Sequence, residues 1–277
     1  MLHAVMDRLR PLHQRLGKPK AGEWLAEHRE DGQTFDAYRV SDPIIPDKKR
    51  RVLYVQPLGD LTATQRRIIT RTADYMARFF SLEVRTREDL PLSLIPARAR
   101  RVHPTWGDKQ ILSTYVLGEL LQPRLPGDAM AYIAFTASDL WPGQNWNFVF
   151  GQASLRERVG VWSLHRNGDP EVSPASYRLA LLRTMKVAVH ETGHMFSMPH
   201  CTAYECNMGG SNSLEESDHG PLWLCPECLA KLAWATGADP LTRYRKLADF
   251  CKAEGLVAEE AFFLKSIAAL EAPSGRP

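Results

Sequence analysis

The sequence predicts a mixed α/β fold, with α+β character and a mainly helical C-terminal part. Three observations carry this expectation. Apolar, β-branched runs alternate with stretches of amphipathic helical spacing from residue 51 to residue 196. Beyond about residue 221 only helical periodicity continues. The length of 277 residues, 44% of them apolar, suffices to bury one sizeable core.

Residues 1–50 read as an N-terminal extension to a main domain of residues 51–277. Leu2, Val5, Met6, Leu9, Leu12 and Leu16 have helical spacing, interrupted at Pro11. Residues 18–50 are polar and end in DPIIPDKKRR, a loosely structured link. RVLYVQPL (51–58) is the first strand, rich in β-branched and apolar residues. Residues 62–80 follow as a helix, with Ile68, Ile69, Ala73, Met76 and Phe80 at helical spacing and Thr62 or Thr64 as cap. LEVR (82–85) is a short second strand. Residues 108–122 are expected as a second amphipathic helix, opened by Asp108 and closed before Pro123. MAYIAFTASDL (130–140) is a strongly apolar third strand that runs into a polar turn. NFVFGQA (147–153) and RVGVWSLHR (158–166) are two further strands. Residues 175–196 form one long helix, and helices near 221–237, 239–253 and 257–270 complete the chain.

Composition excludes several classes. Net charge is +3 but uneven: residues 1–110 hold 21 Lys and Arg against 14 Asp and Glu, and the remainder holds 14 against 18. A mildly basic first half describes a solvated surface, so no nucleic-acid partner is expected. No run of about 18 apolar residues exists to span a membrane. The first twenty residues lack a continuous apolar stretch and a small-residue cleavage site, which points to the cytoplasm, where thiols stay reduced. Neither GxGxxG nor GxxxxGK followed by Ser or Thr occurs, so nucleotide binding has no support.

The chemistry concentrates in HETGHMFSMPHCTAYECNM, residues 190–208. His190 and His194 are four apart on the expected helix, which brings both imidazoles to one face and within reach of one ion. Glu191 lies beside them as general base and acid for zinc-activated water. A catalytic zinc needs a third ligand and one open position. His200 lies too far along for a continuous helix, so the chain must turn near Met195 to Ser197, and Pro199 ends the helical option. Glu205 and Glu215 are rival third ligands.

A second site overlaps the first. Cys201 and Cys206, with Cys225 and Cys228 of CPEC, make two cysteine pairs about twenty residues apart, the pattern of a closed four-thiolate zinc site. His200 and Cys201 are neighbours, so a structural ion there would lock the loop that aims the third catalytic ligand. The redox alternative for CPEC lacks a preceding strand. Cys251 stands apart as a buried residue of a late helix.

The composite HETGHMFSMPHCTAYECNM followed by CPEC closely resembles the archaemetzincins, zinc peptidases of the metzincin clan. YVQPLGD (54–60) and FTASDLW (135–141) resemble the family's first strand and strand-to-loop region, so the likeness covers roughly residues 51–235. The resemblance implies a metzincin-like zincin domain: a twisted mixed sheet with the active-site helix below a cleft. It implies catalytic zinc on His190, His194 and His200, a second zinc on Cys201, Cys206, Cys225 and Cys228, and Glu191 as acid/base. Met208 takes the place of the clan's methionine turn, packing under the metal rather than ligating it.

Two departures stand out. Ser197 replaces the family glycine after the second histidine, where positive φ is common, at a cost of about 1 kcal/mol. The gap from Met208 to Cys225 is one residue shorter than in the family pattern, which a surface loop absorbs. The expected function is hydrolysis of peptide bonds by a monomer, with two zinc ions per chain and a peptide or protein substrate pairing along 147–153. Tyr204 is a candidate donor to the oxyanion. The alternative is a zinc-binding module of the same fold, catalytically impaired at Ser197, that binds peptides or associates with nucleic acid.

Overall fold

The computed structural model describes residues 1–144, 146–154 and 156–273. Residues 145, 155 and 274–277 of the expected catalytic domain lie outside the described residues. Along the chain, α1 (Leu2–Leu9) ends in a short 3-10 turn at Pro11, and α2 (Trp24–Glu27) and α3 (Phe35–Val40) follow. Strand β1 (Val52–Leu58) leads to α4 (Ala63–Phe80), then to β2 (Val84–Thr86), β3 (Arg100–Val102) and β4 (Lys109–Leu112). Helix α5 (Ser113–Tyr115) continues as a π-helical turn over Val116–Leu121. Strands β5 (Ala129–Thr136), β6 (Asp139–Trp141), β7 (Gly151–Ser154) and β8 (Val159–Ser163) precede the 22-residue α6 (Pro174–Met195). The chain ends with α7 (Leu214–His219), α8 (Pro226–Thr236), α9 (Pro240–Glu254) and α10 (Val257–Glu271).

The described residues form two compact units. One takes residues 45–77 and 82–195 and contains both sheets. Its five-stranded sheet runs β2-β1-β5-β8-β7, all parallel except β7, which is antiparallel to β8 and lies at the edge. Every residue of β1, β5 and β8 is buried, as expected of parallel strands covered on both faces. A three-stranded sheet, β3-β4-β6, lies in the same unit. Helix α6 starts cleanly because the Ser173 hydroxyl accepts from the Ser176 N–H at 3.1 Å and Pro174 occupies the first turn. Its buried residues Ala180, Leu181, Thr184, Met185, Ala188, Val189 and Thr192 recur at helical spacing, and the helix packs on β7 and β8.

The expected helix over 108–122 is corrected in its first turn. Lys109–Leu112 is a strand, paired with β3 on one side and β6 on the other. The buried Gln110 donates to the Asp139 carboxylate at 2.7 Å, so a tertiary partner overrides local helical periodicity. Helical geometry resumes at Ser113, where Val116, Leu117, Leu120 and Leu121 join the core. The expected strand over 147–153 is likewise shorter: Val149 makes only an isolated bridge to Leu140, and β7 begins at Gly151.

The other unit takes residues 1–44, 78–81 and 196–273. Helices α9 and α10 pack together, and α1 packs on α8 and α10. The N-terminal residues are seated on α8 through two bonds. The Glu227 carboxylate accepts from the Phe35 N–H at 2.8 Å, and Lys231 Nζ donates to the Gln33 carbonyl at 2.6 Å. Arg243, 1% exposed, donates to the Phe79 carbonyl at 2.6 Å.

Cys251 is fully buried on α9, and that burial pushes its thiol well above the ordinary range. In the unfolded chain this thiol ionises near pH 8.5, whereas the folded thiol does not. The unfolded state therefore binds fewer protons there as pH rises, and stability falls. Between about pH 9 and 11 the wild type should lose stability faster than Cys251→Ala, by up to about 1.4 kcal/mol per pH unit. Denaturant unfolding of both proteins across that range measures the difference.

Candidate active site and metal centres

His190, Glu191 and His194 occupy the end of α6. The four-residue spacing stacks the two imidazoles on one helix face. Their Nε2 atoms stand 3.0 Å apart with the rings edge to face, centroids at 4.6 Å. Tetrahedral zinc with bonds of about 2.0–2.1 Å separates neighbouring nitrogens by roughly 3.3 Å, so this pair fits one shared ion. His200 follows six residues after His194, beyond the end of the helix at Met195.

The stretch from Phe196 to His200 has its own anchors. Helix α6 ends at Met195, and Ser197 adopts φ 59°, the left-handed conformation that a glycine would take more easily. Its hydroxyl accepts from the Ile44 N–H at 3.0 Å, which offsets part of the backbone cost. Phe196 stacks on Phe80 at 5.3 Å, and its carbonyl accepts from the Tyr38 hydroxyl at 2.7 Å. Burial pushes the Tyr38 phenol well above its ordinary value, so it stays a donor. His200 then presents Nδ1 to the Glu30 carboxylate, at 2.8 Å from Oε1 and 3.1 Å from Oε2.

The rival ligands stand elsewhere. Glu205 accepts from Gln14 Nε2 at 2.7 Å, Glu215 is exposed, and neither joins a three-ligand group among the described residues. Tyr204 is 2% exposed, with its ring under the Arg15 guanidinium at 4.3 Å and against His13, so it packs as a core side chain.

Cys201, Cys206, Cys225 and Cys228 are all buried, with sulfurs within 4.8 Å of one another. Cys201 Sγ and Cys225 Sγ are 3.6 Å apart, against roughly 3.8 Å for two sulfurs on tetrahedral zinc with bonds of about 2.3 Å. Backbone amides converge on the cage. The Cys225 N–H donates to Cys206 Sγ at 3.2 Å, and the Cys228 N–H to Cys225 Sγ at 3.5 Å, from the N-cap of α8. Hydrogen bonds from Cys206, Cys225 and Cys228 hold the Cys201 thiol far below the usual range. Burial first, then the neighbouring thiols, push Cys206 up, and Cys228 rises through its bonds to the other three. Four buried sulfurs at this spacing fit the closed tetrahedral donor set of a structural zinc. Met208 is 1% exposed, and its carbonyl accepts from the Cys201 N–H at 2.7 Å, tying the two loop ends together.

Two features left no mark in the sequence pattern. Glu30 is one. The other is a trio of Asp108, Asp139 and His165 with ligand atoms within 4.8 Å. Asp139, fully buried, is held by both Nε and Nη2 of Arg166 at 2.9 and 2.8 Å, and His165 Nε2 lies 3.1 Å from Asp108. With its charge already matched, this trio is an ion-pair network of the fold.

The profile of Peptidase family M54 matches residues 67–234. Archaemetzincin-2 of Homo sapiens is 35% identical over 259 residues, spanning 81% of this chain and 71% of that protein. Among solved structures, the archaemetzincin of Archaeoglobus fulgidus is 27% identical, with 65% of this chain and 99% of that one covered and a TM-score of 0.51. The archaemetzincin of Methanopyrus kandleri is 26% identical, with 70% and 99% covered and a TM-score of 0.52.

Ser197 offers a direct check of the turn. Ser197→Gly relieves the left-handed strain but loses the bond to Ile44, so stability should change by less than about 1 kcal/mol. Ser197→Val forces a β-branched residue into the same φ and loses the same bond, at about 2 kcal/mol or more. Denaturant midpoints of the three proteins measure both.

Proposed function

This chain belongs to peptidase family M54, the archaemetzincins, a family of zinc metallopeptidases, and from that premise we propose that it hydrolyses peptide bonds with Glu191 as general base and acid. The observation that carries the proposal is the pair of imidazoles 3.0 Å apart with Glu191 beside them on the same helix end. His190, His194 and His200 are the proposed ligands of a catalytic zinc, and Cys201, Cys206, Cys225 and Cys228 those of a structural one. Zinc at the histidines supplies Lewis acidity, which activates water and polarises the scissile carbonyl.

The protein's own residues do the rest in this reading. The Glu191 carboxylate takes a proton from the attacking water and returns it to the leaving amine. An extended peptide pairs with β7, the edge strand against which α6 packs, and so brings its carbonyl to the helix end. Met208 is the proposed methionine-turn residue. Residues 51–277 are the proposed catalytic domain and residues 1–50 an N-terminal extension to it. The five free cysteines suit a reducing, cytoplasmic setting, and the proposed working form is a monomer. The reading of an impaired binding module rested on Ser197. Its φ of 59° is the conformation the family glycine permits, which supports an intact turn instead.

Two outcomes are expected. Glu191→Gln should retain the zinc content of the wild type while cleavage of a peptide library falls about 10²–10⁴-fold, measured by mass spectrometry of the products. Metal analysis should give two zinc ions per chain. His194→Ala should retain one of them, whereas Cys206→Ala should lower thermal stability as well as zinc content.

A further inference from the structure

The N-terminal residues place a carboxylate against the third histidine, and nothing in the zinc motif accounts for it. Glu30 Oε1 lies 2.8 Å from His200 Nδ1, with side chains only 27% and 17% exposed. We propose that Glu30 is the positioning residue for the third zinc ligand: its carboxylate accepts the Nδ1–H of His200, fixes the ring orientation and commits Nε2 to the metal. This rests on the reading of His200 as a zinc ligand.

Three observations support a built arrangement rather than a chance surface contact. The Trp24 indole N–H donates to the same Glu30 oxygen at 2.9 Å, which fixes the carboxylate. The Trp24 ring stands edge-on to the His200 imidazole with centroids at 5.1 Å, so it limits the rotation of that ring. Trp24 is itself anchored on the residues that follow Met208, in part on α7. Its N–H donates to the Glu216 carboxylate at 2.9 Å, and Asn212 Nδ2 donates to the Gly22 carbonyl at 3.2 Å. Gly210 makes room for the indole: a Cβ there would come within 2.6 Å of Trp24 Cγ. A carboxylate behind a ligating imidazole fixes its tautomer and raises the basicity of the opposite nitrogen, and losing one typically weakens metal affinity 10–100-fold. A charged acceptor matters here, because a bond to an ionised group is roughly twice as strong as a neutral one. Residues 20–30 would then act on the active site by holding a zinc ligand in place.

The test uses the full-length, zinc-loaded protein and a chromophoric chelator that competes for zinc. Glu30→Gln keeps the size and an acceptor oxygen but removes the charge. The proposal expects the histidine-site zinc to bind 10–100-fold more weakly in Glu30→Gln, with one equivalent still held by the cysteines as a control for folding. It also expects shifted d–d absorption bands when cobalt(II) occupies the histidine site, which loosening of the N-terminal residues alone would not produce. Affinity within twofold of wild type together with unshifted cobalt bands overturns the proposal, provided that His200→Ala loses the site. If His200→Ala keeps wild-type affinity, the ligand reading itself fails and this inference falls with it.

Discussion

The arrangement depends on one backbone reversal. A helix delivers His190 and His194 in register, but it cannot deliver a third ligand six residues later. The chain must leave the helix, and it does so after Met195 with Ser197 in a left-handed conformation. A side chain there costs stability, and the surroundings supply the offset. The Ser197 hydroxyl takes the Ile44 N–H, the Phe196 carbonyl takes the Tyr38 hydroxyl, and the Phe196 ring stacks on Phe80. Each contact is worth on the order of 1 kcal/mol, so together they outweigh the strain at one residue.

The reversal is held from its far side as well. Cys201 follows His200 directly and belongs to the four-sulfur cage, whose amide bonds run from the loop at 201–208 to the N-cap of α8. Two cysteines come from the loop and two from a helix start, so the cage joins two separate stretches of chain. Metal at the cysteines and geometry at His200 are therefore linked through one peptide bond.

Much of this was legible in the sequence, for reasons of spacing. HETGH on a helix, a proline at 199 and two cysteine pairs are local patterns, and local geometry fixes them. The strands β1, β5 and β8 were equally plain, because strands buried on both faces must be continuously apolar. The failures share a cause. Lys109–Leu112 carries helical periodicity, yet Gln110 finds a buried partner in Asp139, 29 residues away, and forms a strand. Residues 18–50 look like a polar link, yet Trp24, Glu30, Tyr38 and Ile44 all bond to residues more than 150 positions later, apart from the local Trp24–Glu30 bond. Single-sequence periodicity carries no record of such pairings. A polar residue that serves a distant partner reads the same as one that serves water.

The account stands or falls on whether His200 reaches the ion bound by His190 and His194. A crystal of the zinc-loaded protein, with anomalous diffraction measured on both sides of the zinc edge, answers this most directly. The expected result is one peak bonded by nitrogens of His190, His194 and His200 at about 2.0–2.1 Å, and a second inside four sulfurs at about 2.3 Å. A zinc ion on the α6 pair with the ring of His200 beyond bonding distance, and a protein carboxylate or sulfur filling the remaining positions, would contradict the account.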